Sequence, residues 1–149
     1  MEATEILEKT TLLEKKYKII CHEGGSRSSK TWSIFQFFFL KAIQGENITI
    51  TIVRDKLSWI KSTLLKDFQE MTELYHLPVT PEINLNRADQ VYYINGSEFS
   101  FYGLDYSEKL HGRSQDWFWI NETMEVAKKH FDQLRSEERR VGKECRSRW

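Results

Sequence analysis

Residues 24–31 read GGSRSSKT, and this stretch decides the fold. A phosphate-binding loop, or Walker A motif, follows the pattern G-x-x-x-x-G-K-[ST]. Gly24, Lys30 and Thr31 match that pattern, whereas Ser29 stands in the place of its second glycine. A serine lacks the freedom of glycine at positive φ, but it is small enough to lie next to a phosphate. The stretch therefore predicts a phosphate-binding loop with one departure.

The flanking segments supply the context that the pattern requires. Residues 17–21 are rich in strand-forming side chains and predict a strand before the loop. Residues 30–44 are apolar almost all round, which is typical of a helix buried between a sheet and other elements. A strand, a small-residue loop and a helix in this order favour the motif over an incidental lysine in a Gly/Ser-rich turn.

Phosphate binding needs the residue types that this loop contains. Small residues let successive backbone N–H groups form an anion-binding nest, and the N-terminus of the following helix adds its dipole. Lys30 would place a positive charge on the β- and γ-phosphates, and the Thr31 hydroxyl would bind Mg²⁺. ATP and Mg²⁺ are therefore the predicted cofactors. The predicted phosphate-binding residues are Gly24, Gly25, Ser26, Ser28, Ser29, Lys30 and Thr31.

Strands and helices alternate along the rest of the chain. Periodic apolar positions, β-forming runs and turn residues predict the elements after residue 44. They are a strand over 48–53, a helix from Asp55 or Ser58 to about 75, a hairpin of 91–94 and 98–102 around Asn95-Gly96, a strand over 117–120 and a helix over 126–134. The alternation predicts an α/β fold. With the loop, it indicates a P-loop NTPase-type three-layer sandwich with a mainly parallel sheet and helices on both faces.

The strand over 117–120 is followed by Asn121 and Glu122. In phosphate-loop enzymes a strand beside the loop strand ends in acidic residues. The first helps to hold Mg²⁺ and the next polarises the attacking water. Glu122 fits the second position and is a predicted catalytic residue, whereas Asn121 can accept a water of the Mg²⁺ shell without adding charge. The alternative is that both residues end the strand and cap the next helix.

Composition limits the classes of function. The 149 residues contain 22 basic and 22 acidic side chains, and 40% of the chain is hydrophobic. This excludes wholesale disorder and also excludes nucleic-acid binding through overall basicity. No apolar run reaches the roughly 18 residues that a membrane span needs. The two cysteines and four histidines have no metal-ligand spacing.

The neutral charge balance conceals a boundary. Residues 135–149 carry a net charge of +3, so residues 1–134 carry −3. The terminal segment contains a single aliphatic residue and predicts no buried helix face. It is either a basic arm for DNA or a partner, or a tail that is not native to the fold, and we favour the second interpretation. The predicted organisation is a lead-in over 1–16 with a short helix, a partial P-loop ATPase domain over 17–134, and this tail.

Three stretches together carry a family resemblance. They are GGSRSSKT (24–31), GLDYSEKLHGR (103–113) and WFWINETMEV (117–126). Their order and spacing, and the arginine within the first stretch, resemble the N-terminal ATPase domain of the tailed-bacteriophage terminase large subunit. That protein is the motor that packages viral DNA into procapsids. The resemblance extends over roughly residues 17–134.

The resemblance implies roles for single residues. It implies that Arg27 is a catalytic arginine, which senses the γ-phosphate and ties hydrolysis to DNA movement, and that Glu122 is the catalytic carboxylate. Arg54 lies where the family often has an Arg-Lys pair, but Asp55 replaces the lysine, which favours a simple ion pair at the start of a helix. Asn121 replaces the usual aspartate, so weaker metal binding, through water, is expected there.

The resemblance also implies partners and a location. The partners are double-stranded viral DNA, the small terminase subunit and the portal protein of the procapsid, with assembly into a ring-forming homo-oligomer during packaging. The location is the cytoplasm of the bacterial host, docked on the procapsid, without a membrane. Candidate DNA contacts are Lys56, Lys61, Lys66 and Arg113, although the simpler interpretation of each is an ordinary solvated charge.

Two other classes of function stay open at this point. One is a different phosphate-loop ATPase, such as a helicase-like protein. The other is a nucleotide-binding or structural fragment without turnover. The terminase family continues past residue 134 with a coupling segment, further strands and a nuclease domain, so the resemblance implies a motor domain that is incomplete at its C-terminus.

Overall fold

The computed structural model describes residues 4–23, 29–81, 90–105, 115–122 and Asp132. In chain order, the elements are α1 (Glu5–Leu13), α2 (Lys30–Ile43), β1 (Thr49–Arg54), α3 (Leu57–Trp59), a π-helical turn (Ile60–Leu64), α4 (Leu65–Leu74), β2 (Val79–Pro81), β3 (Gln90–Ile94), β4 (Ser97–Gly103) and β5 (Trp117–Ile120). The segments α3, π-helical turn and α4 follow one another without a break and form one long helix. None of the described helices is long and apolar enough to cross a membrane.

The five described strands form one sheet in the order β2-β3-β4-β1-β5. Strand β1 pairs in parallel with β4 on one side and with β5 on the other. Strand β3 pairs antiparallel with both β4 and β2, so it alone runs against the other four strands. The structure therefore confirms the predicted α/β class, with a mixed sheet in which four of the five described strands run in the same direction.

Alternation along the strands determines which residues face the helices. Ile52 of β1 lies in register between Phe101 of β4 and Trp119 of β5. All three side chains are buried in the core that the sheet forms with α2 and α4. The opposite face carries a smaller buried cluster of Val53, Tyr102 and Leu104.

Helix α2 is the central core helix, as predicted for residues 30–44. Phe35 and Phe39 are fully buried, and their ring centroids are 5.8 Å apart. The ring of Phe68, on α4, lies 5.7 Å from that of Phe35 and 5.6 Å from that of Phe39. Burying a side chain of this size contributes about 1.5–3 kcal/mol. The aromatic core therefore fixes the position of α2 between the sheet and the neighbouring helices.

Helix α1 packs along α2 and confirms the predicted helix in the lead-in. Leu7 is buried in the core. At the far end of the contact, Lys41 of α2 is 7% exposed and its Nζ lies 2.9 Å from the Glu14 carboxylate. The same ammonium lies 5.1 Å from the ring of Phe37 and 5.4 Å from the ring of Trp117. This buried cation is thus paired, as burial of a charge requires.

The hairpin of β3 and β4 has the predicted Asn-Gly turn. Asn95 has φ 48° and Gly96 has φ 83°, which are the positive values that a type I′ turn requires at both central positions. A side chain at residue 96 would also overlap the side chain of Asn47. The Asn95 side chain donates to the Ala42 carbonyl at 2.9 Å, so the turn is attached to the end of α2.

The predicted strand over 17–21 is wrong. Residues 17–23 form irregular backbone without a ladder to the described sheet, and Tyr17 is 56% exposed. Strand-forming side chains give only a weak preference, because a strand exists only where a neighbour supplies ladder hydrogen bonds. Strand β5 is the last described strand beside β1, and of its four residues Trp119 is buried and the other three are partly buried.

The predicted caps of the long helix, Asp55 and Ser58, are also wrong. The N-cap is Lys56, which has an extended backbone and whose own side chain supplies no capping bond in the described part of the chain. The Asp105 carboxylate instead accepts from the Leu57 N–H at 3.3 Å. The close approach requires Gly103, because a Cβ there would overlap both the Asp105 carboxylate and the Leu57 backbone. A tertiary contact has replaced the local cap.

The remaining predictions lie outside the described residues. These are the loop residues Gly24, Gly25, Ser26, Arg27 and Ser28, the helix over 126–134 apart from Asp132, Arg113, and the terminal segment 135–149.

Candidate functional site

The ring contacts of α2 fix its direction over the sheet. Phe35 contacts Trp119, near the carboxyl end of β5, with centroids 5.0 Å apart. Phe37 contacts Trp117, at the amino end of β5, with centroids 5.6 Å apart. Helix α2 therefore runs antiparallel to β5, and its N-terminus lies toward the carboxyl ends of the parallel strands. That edge is where open α/β sheets bind ligands.

The structure brings the predicted halves of the site to this one edge. Lys30 and Thr31 form the first turn of α2 and are half-buried. Asn121 and Glu122 directly follow β5 at the same end. The Asn121 N–H donates to the Val53 carbonyl at 2.9 Å, which extends the β1–β5 ladder by one residue and fixes the strand end. A lysine, a hydroxyl, an amide and a carboxylate thus lie at the same edge of the sheet.

Ser29 takes the backbone conformation that the missing glycine would supply. It is the N-cap of α2 with φ 57° and ψ 13°, in the left-handed region, and its side chain makes no capping bond among the described residues. Its carbonyl accepts from the Ser33 N–H at 2.9 Å and from the Ser33 hydroxyl at 2.8 Å. A serine can hold this conformation, at a cost that glycine would avoid.

Glu122 also has a left-handed backbone. Its φ is 56° and its side chain is exposed. Asn47, His76 and Asn95 have positive φ elsewhere in the described chain, but Ser29 and Glu122 are the two that fall at predicted site residues. Backbone strain of this kind persists only where the surroundings enforce it. For Ser29 these surroundings are helix α2, and for Glu122 they are the β1–β5 ladder.

His22 is a neighbour of Lys30 that sequence analysis did not single out. Burial lowers the pKa of the His22 imidazole below its ordinary value, and the positive charge of Lys30 lowers it further. The two groups are therefore close enough to repel one another when both are charged. The His22 Nε2 lies 3.2 Å from the Thr10 hydroxyl on α1. In the sequence, only the position of His22 directly before the loop could have indicated that it lies near Lys30.

Arg54 lies at the same edge, at the end of β1. Its guanidinium carbon is 5.3 Å from the centroid of the Trp59 ring, and its Nη1 donates to the Thr63 hydroxyl at 3.2 Å. Thr63 belongs to the π-helical turn and donates its own proton to the Trp59 carbonyl at 2.6 Å. Trp59 and Thr63 as partners of Arg54 were not predicted, because the π-helical turn that places them has no sequence signature.

The residues at this edge fit a magnesium ion that is held largely through water. Mg²⁺ prefers oxygen ligands and keeps several of its waters when it is bound beside phosphates. The Thr31 hydroxyl and the Asn121 amide oxygen are donors of that type. Among the described residues, no group of three or more His, Cys, Asp or Glu side chains could hold a metal ion. Two neutral oxygen donors would leave most of the coordination shell of such an ion to water.

A separate groove lies away from these residues. It has a volume of about 650 Å³ and lies between the end of α4 and strands β2 and β3. Its lining includes Glu73, His76 and Tyr92 and none of the predicted site residues. The candidate site is thus defined by the helix N-terminus and strand ends, not by this groove.

Comparison with known proteins connects this geometry to one family. A family model described as phage terminase large subunit matches residues 14–146. No curated protein matches the chain. The chain is similar in fold to several solved structures of the large terminase from one thermophilic bacteriophage.

Two of these large terminase structures are complexes with nucleotides. The structure in complex with ADP has a TM-score of 0.68 at 15% identity, over 91% of this chain and 36% of that one. The structure in complex with ATP-γ-S has a TM-score of 0.67 at 13% identity, over 95% of this chain and 36% of that one. The chain therefore spans little more than a third of the length of these large terminases.

Proposed function

The chain belongs to the phage terminase large subunit family, and from that premise we propose that it forms the ATP-binding part of a motor that packages DNA into viral procapsids. One observation carries the proposal: the N-terminus of α2, with Lys30 and Thr31, lies at the same sheet edge as Asn121 and Glu122. The ADP and ATP-γ-S complexes of the thermophilic bacteriophage large terminase support nucleotide as the ligand of this edge.

The phosphates would bind at the start of α2. The first N–H groups of a helix have no partner within the helix, and the helix dipole favours negative charge there. Lys30 adds a positive charge in the same turn, and its half-buried position strengthens the attraction relative to full exposure. Residues 24–28, with Arg27 as the arginine that contacts the γ-phosphate, complete the proposed phosphate site.

Hydrolysis would use the strand end. The Thr31 hydroxyl and, through water, Asn121 would hold Mg²⁺, which neutralises charge on the phosphates when it is bound. Glu122 would accept a proton from water as the water oxygen bonds to the γ-phosphorus. The bond from that phosphorus to the bridging oxygen then breaks, and ADP leaves with the electron pair. The exposed Glu122 side chain is free to reach such a water from solvent.

Coupling to DNA and assembly are the further parts of the proposal. We propose double-stranded DNA, the small terminase subunit and the portal protein as partners, a ring of copies during packaging, and a location in the host cytoplasm at the procapsid. Family membership supports each of these. Lys56, Lys61 and Lys66 are all exposed on or beside the long helix, and exposed lysines are the side chains that DNA phosphates attract.

The nucleotide site is tested with Lys30→Ala. We expect binding of Mg²⁺ with ATP-γ-S, measured by calorimetry, to weaken by about 10- to 100-fold, because a charge-assisted phosphate contact is lost. Lys66→Ala removes an exposed lysine on α4 and is the matched control, which should bind like the unchanged chain. Equal binding by Lys30→Ala and the unchanged chain, or no binding by either, would overturn the assignment.

The catalytic role is tested with Glu122→Gln. Loss of a general base lowers turnover by about 10²–10⁴-fold, so phosphate release should fall by that factor while the affinity for ATP-γ-S stays within about threefold. Glu73→Gln changes an exposed glutamate on α4 and should leave both quantities unaltered. Loss of binding in Glu122→Gln would instead make Glu122 a structural residue.

A further inference from the structure

Helix α1 makes hydrogen bonds to both sides of the predicted phosphate loop. Before the loop, the Thr10 hydroxyl lies 3.2 Å from Nε2 of His22. After the loop, the Thr4 hydroxyl lies 2.7 Å from the Ser33 hydroxyl. Thr4 and Thr10 are six residues apart on the side of α1 that also buries Leu7. One face of one short helix thus contacts the residues that enter and leave the loop.

The donors and acceptors in the hydrogen bonds after the loop can be assigned from the number of protons on each hydroxyl. The Ser33 hydroxyl donates to the Ser29 carbonyl at 2.8 Å, so it accepts from the Thr4 hydroxyl, because a hydroxyl has a single proton. Thr4 in turn accepts from the Leu7 N–H at 3.2 Å. A continuous chain of hydrogen bonds therefore connects the first turn of α1 to the left-handed residue directly before Lys30. Such chains strengthen their members cooperatively.

The same reasoning applies to the hydrogen bond before the loop, between Thr10 and His22. The Thr10 hydroxyl donates to the Ile6 carbonyl at 2.7 Å, so toward His22 it is the acceptor and Nε2 of His22 carries a proton. Thr10 is 5% exposed, so this hydrogen bond is partly shielded from water. Burial and Lys30 lower the pKa of His22, so the ring is neutral with its proton on Nε2 at neutral pH.

We propose that α1 is a brace for the two described flanks of the proposed nucleotide site, His22 and the start of α2, and that Thr10 and His22 are positioning residues for nucleotide binding. The inference rests on the proposed nucleotide site. Holding the residues that flank a ligand site in their bound arrangement lowers the entropy cost of binding. The brace holds the His22 ring beside Lys30 and holds the Ser29 carbonyl at the start of α2.

A matched pair of substitutions tests the brace. Thr10→Val keeps the shape of the side chain and removes the acceptor of His22. Thr11→Val changes the exposed neighbour, whose hydroxyl likewise donates to a carbonyl four residues earlier, that of Leu7, at 2.9 Å. Loss of one hydrogen bond corresponds to about a three- to tenfold change. Thr10→Val should weaken binding of Mg²⁺ with ATP-γ-S by that factor, whereas Thr11→Val and the rescue variant Thr10→Ser should stay within about twofold.

Two further measurements separate the brace from general stability and from the nucleotide site. The ¹⁵N shifts of the His22 ring should show the Nε2–H form in the unchanged chain and in Thr11→Val, and a mixed form in Thr10→Val. Hydrogen exchange of the Ser33 amide, which donates to Ser29, should quicken about three- to tenfold in Thr4→Val, which loses the hydroxyl bond to Ser33, and should not change in Thr11→Val. Equal ring shifts and affinity in Thr10→Val and Thr11→Val, or equal exchange in Thr4→Val and Thr11→Val, would overturn the brace. Absence of nucleotide binding with these ligand-free differences intact would overturn the proposed function instead.

Discussion

The left-handed backbone of Ser29 predicts that a glycine at this position stabilises the fold. Ser29 caps α2 with φ 57° and ψ 13°, a conformation in which Cβ crowds the following carbonyl. Its hydroxyl makes no capping bond among the described residues, so its removal should cost little. Ser29→Gly restores the residue that the loop pattern has at this place. The bonds from Ser33 to the Ser29 carbonyl involve only the backbone of residue 29 and survive the change.

The expected gain is the difference of two terms. A left-handed residue with a Cβ costs about 1–2 kcal/mol. A glycine loses more backbone freedom on folding than a serine does, and this costs about 0.5–1 kcal/mol. Ser29→Gly should therefore raise the free energy of unfolding by about 0.5–1 kcal/mol, which corresponds to about 1–4 °C in Tm for a chain of this size.

Urea denaturation followed by circular dichroism measures this gain as a shift of the midpoint at constant slope. Ser29→Ala is the control, because it removes the hydroxyl and keeps the Cβ. It should lie within about 0.5 kcal/mol of the unchanged chain. A lower midpoint for Ser29→Gly, or an equal gain for Ser29→Ala, would refute the argument that backbone strain at residue 29 limits stability.

Two other predictions concern the core and pH. Phe68 is fully buried, so Phe68→Ala should lower the free energy of unfolding by about 3–5 kcal/mol, while Leu74→Ala, at a position 58% exposed, should change it by less than about 0.5 kcal/mol; similar midpoints in urea would contradict this. Folding lowers the pKa of His22 from its ordinary 6.5, so as the pH falls the unfolded chain takes up this proton before the folded chain does. The contribution of the neutral His22 to the free energy of unfolding is therefore complete above pH 6.5 and is lost as the pH falls through the folded pKa. His22→Gln should flatten the pH dependence of the urea midpoint below about pH 6.5, and an unaltered slope would show that other groups control it.

The sequence predicted the elements whose signals are local. Asn95-Gly96 specifies its turn by two positive φ values, and the structure has both. The apolar residues of α2 predict a buried helix, and its rings form the centre of the core. The alternation around Ile52 predicts a strand over 48–53, and β1 forms there over Thr49–Arg54. Each of these signals acts within a few residues, so tertiary structure had little to override.

The wrong predictions concern features that only the folded chain supplies. Residues 17–21 have strand-forming side chains, but pairing determines whether they form a strand, and the described sheet offers them none. Asp55 and Ser58 are typical helix caps, yet Asp105, about fifty residues further along the chain, caps the helix instead. The brace escaped prediction for the same reason, because no local pattern connects Thr10 to His22 across the turn between them.

The geometry of the candidate site is likewise imposed from a distance. Ser29 and Glu122 both have strained, left-handed backbones, and the local sequence of neither residue favours that conformation. Ser29 is held because the Phe35–Trp119 contact fixes α2 over the sheet, and Glu122 because Asn121 continues the ladder from β1. Left-handed residues cost about 1–2 kcal/mol each, which the burial of a single aromatic ring of the core offsets. The motif letters therefore predict the phosphate-binding residues, but the aromatic core places the start of α2 at the sheet edge where the strand-end carboxylate lies.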